Sequence, residues 1–252
     1  MEVRNPLRYM DTSPTALRVH FSAIATLRNA RGAERPCPIA AAVRIQQWGA
    51  DGITVHPRPD GRHITFEDVR KLKAIITTEF NIEGYPSLEF VDLVLEVRPD
   101  QVTLVPDPPG ILTSNQGWDT RTHAEMLGQV LAKFKGAGIR TSLFISTDHN
   151  LIQGAADLGA DRIELYTGPY AEAFPQDPAG AIQPFADAGE FAAGIGLGIN
   201  AGHDLDLDNL AHFAQHVQPL HEVSIGHALI SDALYVGLQN AVGQYKAQLR
   251  PA

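Results

Sequence analysis

Five short apolar runs in this chain each end on a side chain that can carry a proton or hold an anion. They are Ile53-Thr54-Val55-His56, Phe80-Asn81-Ile82-Glu83, Arg162-Ile163-Glu164-Leu165, Gly198-Ile199-Asn200-Ala201-Gly202-His203 and Val223-Ser224-Ile225-Gly226-His227. A strand whose carboxyl end delivers His or Glu, followed by a helix-like segment, is the layout of a (β/α)8 TIM barrel. There all strand ends converge on one mouth, where the chemistry sits. One such residue would mean little. Five, spread over most of the chain, predict an enzyme on this fold.

The rest of the pattern agrees. Candidate strands are Leu17–Phe21, Gly52–His56, Phe80–Glu83, Gln101–Val105, Thr141–Ile145, Arg162–Leu165, Gly198–Asn200 and Glu222–Ile225. Their short, branched, apolar character suits parallel strands buried on both faces. Between them run helical stripes: Phe66, Val69, Leu72 and Ile76; Met126, Val130, Leu131 and Phe134; Leu234, Leu238, Ala241, Tyr245 and Leu249,. Thr65 with Asp68 three positions on reads as a helix start. Gly49-Ala50-Asp51 and Gly159-Ala160-Asp161 read as one helix-to-strand turn used twice,. The stretches Ser22–Pro38, Pro106–Thr120 and Tyr166–Pro178 read as long loops at the mouth, and Ile230–Leu249 as a single last helix. Residues 1–15 read as an N-terminal extension, and 16–252 as one barrel domain.

A chain of 252 residues is the usual size of one such barrel and buries a full core without staples,. A formal charge of −9 argues against nucleic acid or an anionic membrane as the main partner, though not against a phosphorylated metabolite,. The single Cys37 excludes an internal disulfide framework and fits a reduced cytoplasm,. Neither a signal peptide nor an apolar run long enough to span a membrane is visible.

Taken one at a time, the polar residues suggest anion binding beside proton transfer. His56 opens the stiff turn Pro57-Arg58-Pro59-Asp60-Gly61-Arg62-His63, where an Arg fork and imidazoles suit a phosphate; alone, such a turn is as readily a solvated loop. Glu83, among Phe80, Ile82 and Tyr85, should be desolvated towards the range of a general base, unless it forms a structural ion pair. Glu164 is the second strand-end carboxyl. Gly202 lets the backbone before His203 approach a ligand closely. Gly226-His227 opens the last loop, the usual phosphate cup of this fold, and Arg28 and Arg31 add positive charge at the first loop. His123, His149, His212 and His216 read as surface. A metal held by His56, His203, His227 and Glu83 is the rival reading, although no paired metal-ligand spacing occurs among them.

Five blocks together resemble the pyridoxine 5′-phosphate synthase family: Ile24-Ala25-Thr26-Leu27-Arg28-Asn29-Ala30-Arg31-Gly32, Gly49-Ala50-Asp51-Gly52-Ile53-Thr54-Val55-His56, Arg62-His63-Ile64, Asn200-Ala201-Gly202-His203 and Ile225-Gly226-His227-Ala228. The resemblance runs from about Leu17 to Leu249. It implies a (β/α)8 barrel with extra helices, assembled as a homo-octamer. The implied reaction condenses 1-deoxy-D-xylulose 5-phosphate with 3-amino-2-oxopropyl phosphate, using no organic cofactor or metal. It further implies His56 and Glu83 as proton acceptors, His203 as proton donor and Glu164 as stabiliser of charged intermediates. Arg58, His63 and Thr113 would hold the deoxyxylulose phosphate; Arg31, Gly226 and His227 would hold the other. The first strand departs from the pattern. His20, Ser22 and Ala23 stand where the family usually has Asn, Asp or Asn, and His or Lys, with His20 expected to donate to substrate. Asp204 stands where many relatives have Gly, a negative charge near a phosphate cup unless it faces away. Two functions therefore stand: the synthase, or a catalytically weakened or substrate-shifted barrel that binds a phosphorylated metabolite.

Overall fold

The computed structural model describes residues 14–32, 34–107 and 116–250. Eight strands form the core: β1 Ala16–His20, β2 Gly52–Val55, β3 Glu79–Gly84, β4 Gln101–Leu104, β5 Arg140–Ile145, β6 Arg162–Leu165, β7 Gly198–Gly202 and β8 Glu222–Ile225. Each pairs in parallel with the next, and β8 pairs with β1, so the sheet closes into a barrel. Among the described residues the helices are α1 Ser22–Asn29, α2 Pro38–Gln47, α3 Phe66–Lys73, α4 Leu88–Val97, α5 Ala124–Gly136, α6 His149–Asp157, α7 Gly168–Ala173, α8 Pro178–Gly194, α9 Leu210–His216, α10 His227–Val236 and α11 Leu238–Gln248. The first strand lies one residue earlier than the sequence reading placed it, and His56 stands one residue beyond β2.

Strand side chains alternate between two faces, and here the alternation sorts chemistry. Leu17, Val19, Ile53, Val55, Phe80, Ile82, Val102, Leu104, Ile163 and Val223 face the helices and are fully buried. The other set fills the lumen and is polar. At the amino end, Arg18 donates to Glu222 at 2.6 Å and also pairs with Glu79. Arg162 and Gln101 each donate to Glu222 at 2.7 Å, and Arg140 joins Gln101 at 2.8 Å. Above them Thr103 donates to Asn81 at 3.2 Å and Asn81 to Thr54 at 3.4 Å. The expectation of parallel strands buried on both faces holds. The lumen, however, is held by charges rather than apolar side chains, tolerated there because Arg18, Arg140 and Arg162 converge on the Glu79 and Glu222 carboxylates,. Gly52 makes room for this network, since a Cβ there would sit 2.7 Å from the Glu79 carbonyl and 3.1 Å from Arg18 Cγ.

The helix-to-strand turn recognised twice is used four times, with Gly49, Gly138, Gly159 and Gly196 all at positive φ,. Other readings need correction. The stretch Ser22–Pro38 holds α1, and Tyr166–Pro178 holds α7. The segment 230–249 is two helices, because Gly237 (φ +81) interrupts the hydrogen-bond ladder between α10 and α11. Leu234, assigned to the buried stripe, is 72% exposed. His212 is half-buried against Phe174 rather than free on the surface.

Arg28 also serves another purpose than the one expected. Its guanidinium grips Asp68 at 2.6 and 2.8 Å and donates to the His63 carbonyl at 3.2 Å. Asp68 meanwhile accepts from the Thr65 amide at 2.9 Å while Thr65 Oγ1 accepts from the Asp68 amide, completing the cap of α3. Arg28 therefore anchors the loop that carries His63. Asp68→Ala should lower stability by about 2–3 kcal/mol, against about 1 for Thr65→Ala, read as urea midpoints at unchanged slope. Equal losses would show that the Arg28 pair contributes nothing.

Candidate active site

The carboxyl ends of the strands enclose a cavity of about 260 Å³. His20 from β1, His56 after β2, Glu83 from β3, Glu164 from β6, His203 after β7, and Gly226 with His227 after β8 all line it. The loop after β2 adds Arg58 and His63. Sequence reasoning missed Thr26, Val105, Phe144 and Ser224, which complete the wall. Their signal was the two-residue period: Phe144 lies two after Ser142 and Ser224 two after Glu222, both on the lumen face. Arg31 follows α1, is exposed, and is not among the cavity-lining residues. Asp204 points to His203 instead of the cavity. Thr113 lies outside the described residues.

Burial and neighbours tune the groups apart. Burial holds the His56 imidazole well below its ordinary pKa, assisted by the nearby Arg58, His20, His63 and His203,. His56 is therefore a neutral base at pH 7. Burial, with His20 and Arg58, depresses His63 to about 4. His203 moves the other way: the hydrogen bond to Asp204, 3.1 Å from its Nδ1, outweighs burial and raises it. Its ring is 41% exposed and its backbone holds the left-handed region at φ +45, a strained conformation for a non-glycine residue,. Glu164 is pushed well above the usual carboxyl range by burial, then by Glu83 and Glu222,. Arg58 is buried against Asp107 at 3.6 Å, a partner the sequence did not reveal.

Two places around this cluster suit anions. Arg58 and His63 form one. The other is the side where α1 and α10 begin, because Ser22 and His227 open those helices and line the cavity,. Several buried polar atoms here have no partner among the described residues: Ser22 Oγ, His63 Nδ1, Glu83 Oε1, Glu164 Oε2 and Ser224 Oγ. Leaving such groups unsatisfied costs free energy, so the site is built to be completed by a polar ligand. Among the described residues no group of three or more His, Cys, Asp and Glu is arranged to hold a metal ion.

A (β/α)8 barrel with a neutral imidazole, a second imidazole of raised pKa, two carboxyls and two regions suited to anions at its mouth belongs to the barrel enzymes that run acid–base chemistry on anionic small molecules,. The chain is a member of the pyridoxal phosphate biosynthesis protein PdxJ family, whose family model matches residues 17–251. It is 57% identical over 236 residues to a pyridoxine 5′-phosphate synthase of Bacteroides fragilis, covering 94% of this chain and 100% of that relative. The corresponding protein of Bacteroides thetaiotaomicron is 55% identical over the same coverage. Among solved structures, tryptophan synthase from M. tuberculosis superposes with a TM-score of 0.64 at 13% identity, covering 95% of this chain and 94% of that one. Thiamine phosphate pyrophosphorylase from Pyrococcus furiosus gives 0.61 at 13%, covering 93% and 95%. At such identities these two speak for the barrel alone.

Proposed function

We propose that this chain is a pyridoxine 5′-phosphate synthase, joining 1-deoxy-D-xylulose 5-phosphate to 3-amino-2-oxopropyl phosphate with loss of phosphate and water. The observation that carries the reading is the placement of differently tuned proton carriers between two anion-holding regions in one cavity. Two phosphates need two cups, and a ring closure with dehydrations needs both acceptors and a donor. The sum is redox-neutral, so acid–base groups suffice.

Neutral His56 and Glu83 take protons, and His203, kept cationic by Asp204, returns one to a departing oxygen. Glu164 enters protonated and can ionise beside a cationic intermediate, stabilising it. Arg58 and His63, with Thr113, hold the deoxyxylulose phosphate. The α1 and α10 amino ends with Gly226 and His227 hold the amino-ketone phosphate. Exposed Leu234, Tyr235 and Val236 on α10, with Leu27 on neighbouring α1, support assembly into the homo-octamer that the resemblance implies,.

The test mixes both substrates with purified protein. Phosphate and pyridoxine 5′-phosphate should appear in equal amounts, and neither should appear from one substrate alone. Tight calorimetric binding of both substrates without phosphate release would favour a binding barrel, for which the altered first strand is the motivating feature.

A further inference from the structure

We propose that His20 is a positioning residue that holds the Glu83 carboxylate away from His56 and so keeps the two proton acceptors of the site separate. The proposal deepens the synthase reading and rests on it for the roles of Glu83 and His56.

The geometry starts at the junction of β1 and α1. The first amide of α1, Ser22 N–H, has no cap from the preceding Phe21 and donates instead to His20 Nδ1 at 3.4 Å,. With Nδ1 accepting, the neutral ring carries its proton on Nε2, and that nitrogen lies 3.1 Å from Glu83 Oε2,. Both ring nitrogens are thus committed, one to backbone and one to Glu83. His20 therefore has no N–H left for substrate, the role the sequence suggested for it. The Gly226 backbone runs close behind His20, since a Cβ there would lie 2.9 Å from His20 Cβ.

The same carboxylate oxygen faces a second imidazole. His56 Nδ1 is 3.9 Å from Glu83 Oε2, beyond hydrogen-bond distance,. Two imidazoles from β1 and from the end of β2 therefore flank one oxygen of a β3 carboxylate, and only His20 bonds it. Glu83 Oε1 stays buried without a partner among the described residues. If His20 were lost, Oε2 would be a desolvated acceptor within easy reach of His56. Their pairing would favour the imidazolium and remove both bases together. The other charged or titratable groups facing His56 are Arg58 and His63 from its own loop, His203 after β7, and Asp107 behind Arg58. Glu164 lies across the lumen on β6 and acts on Glu83. A change at position 20 leaves all of these in place.

The experiment follows the imidazole resonances of His56 by NMR through a pH titration of the full unliganded chain, in wild type, His20→Phe and His20→Gln. Phe fills the space without a donor, whereas the Gln amide nitrogen reproduces the Nε2 donor without a titrating ring. The His56 midpoint should rise by about one unit or more in His20→Phe. In His20→Gln it should stay within about 0.3 units of wild type, well inside the ordinary spread of histidine values. The acid limb of kcat/KM should follow the same order, with His20→Gln restoring the wild-type limb. His20→Ala serves if His20→Phe does not fold, as judged by circular dichroism. An unmoved His56 midpoint in His20→Phe or His20→Ala, or an equal rise in His20→Gln, overturns the proposal. Absence of pyridoxine phosphate formation by wild type would count against the synthase reading instead, and the NMR arm would still decide the His20–Glu83–His56 geometry.

Discussion

Glu83→Gln is expected to cut turnover by about 100- to 10,000-fold while both substrates still bind within a few-fold of wild type. The substitution keeps size and shape, and its amide oxygen can still accept from His20 at the position of Oε2. What it removes is the ability to take a proton. Glu83 is only 7% exposed, so bulk water is poorly placed to substitute for it. Steady-state kinetics with calorimetry of each substrate would check this. Turnover within a few-fold of wild type would end the assignment of Glu83 as proton acceptor.

His203→Gln should bring a loss of similar size, about 100- to 10,000-fold, because it deletes the cationic proton donor. The more specific expectation concerns its neighbour. His203 must be protonated to act, so the rate falls as pH rises through its raised pKa. His56 must be neutral, so the rate falls as pH drops through its depressed pKa. The profile should therefore be a bell with its acid limb below 6.5 and its alkaline limb above it,. Asp204→Asn removes the anion that raises His203. The alkaline limb should then move to lower pH while the acid limb stays where it is. An alkaline limb that does not move would show that some other group sets it.

Asp204 also shows where reading a sequence stops. The residue was visible as a negative charge beside a phosphate cup, but its direction was not, and the direction makes it the partner that raises the His203 pKa. The barrel itself was legible because strands and helices announce themselves by local period and by Gly at the turns between them. Glu83, Glu164, His56 and His203 were legible for a related reason: each stands at the carboxyl end of a strand, and in a parallel barrel all such ends share one mouth.

Partner choice is a different kind of information. His20 and Glu83 are 63 residues apart in the chain, and Arg18 and Glu222 are 204 apart. Nothing in the local pattern says that Arg28 will grip Asp68 and support a loop, or that His20 will lie within hydrogen-bond distance of Glu83. Local periodicity was enough to set the strands, their helix-facing apolar sides and the types of chemistry at the mouth, since these depend on residues two to four positions apart. Closure of the barrel decided which charges cancel in the lumen and which imidazole pKa is lowered and which raised, because those depend on distances of a few ångströms across strands that meet only when β8 joins β1,.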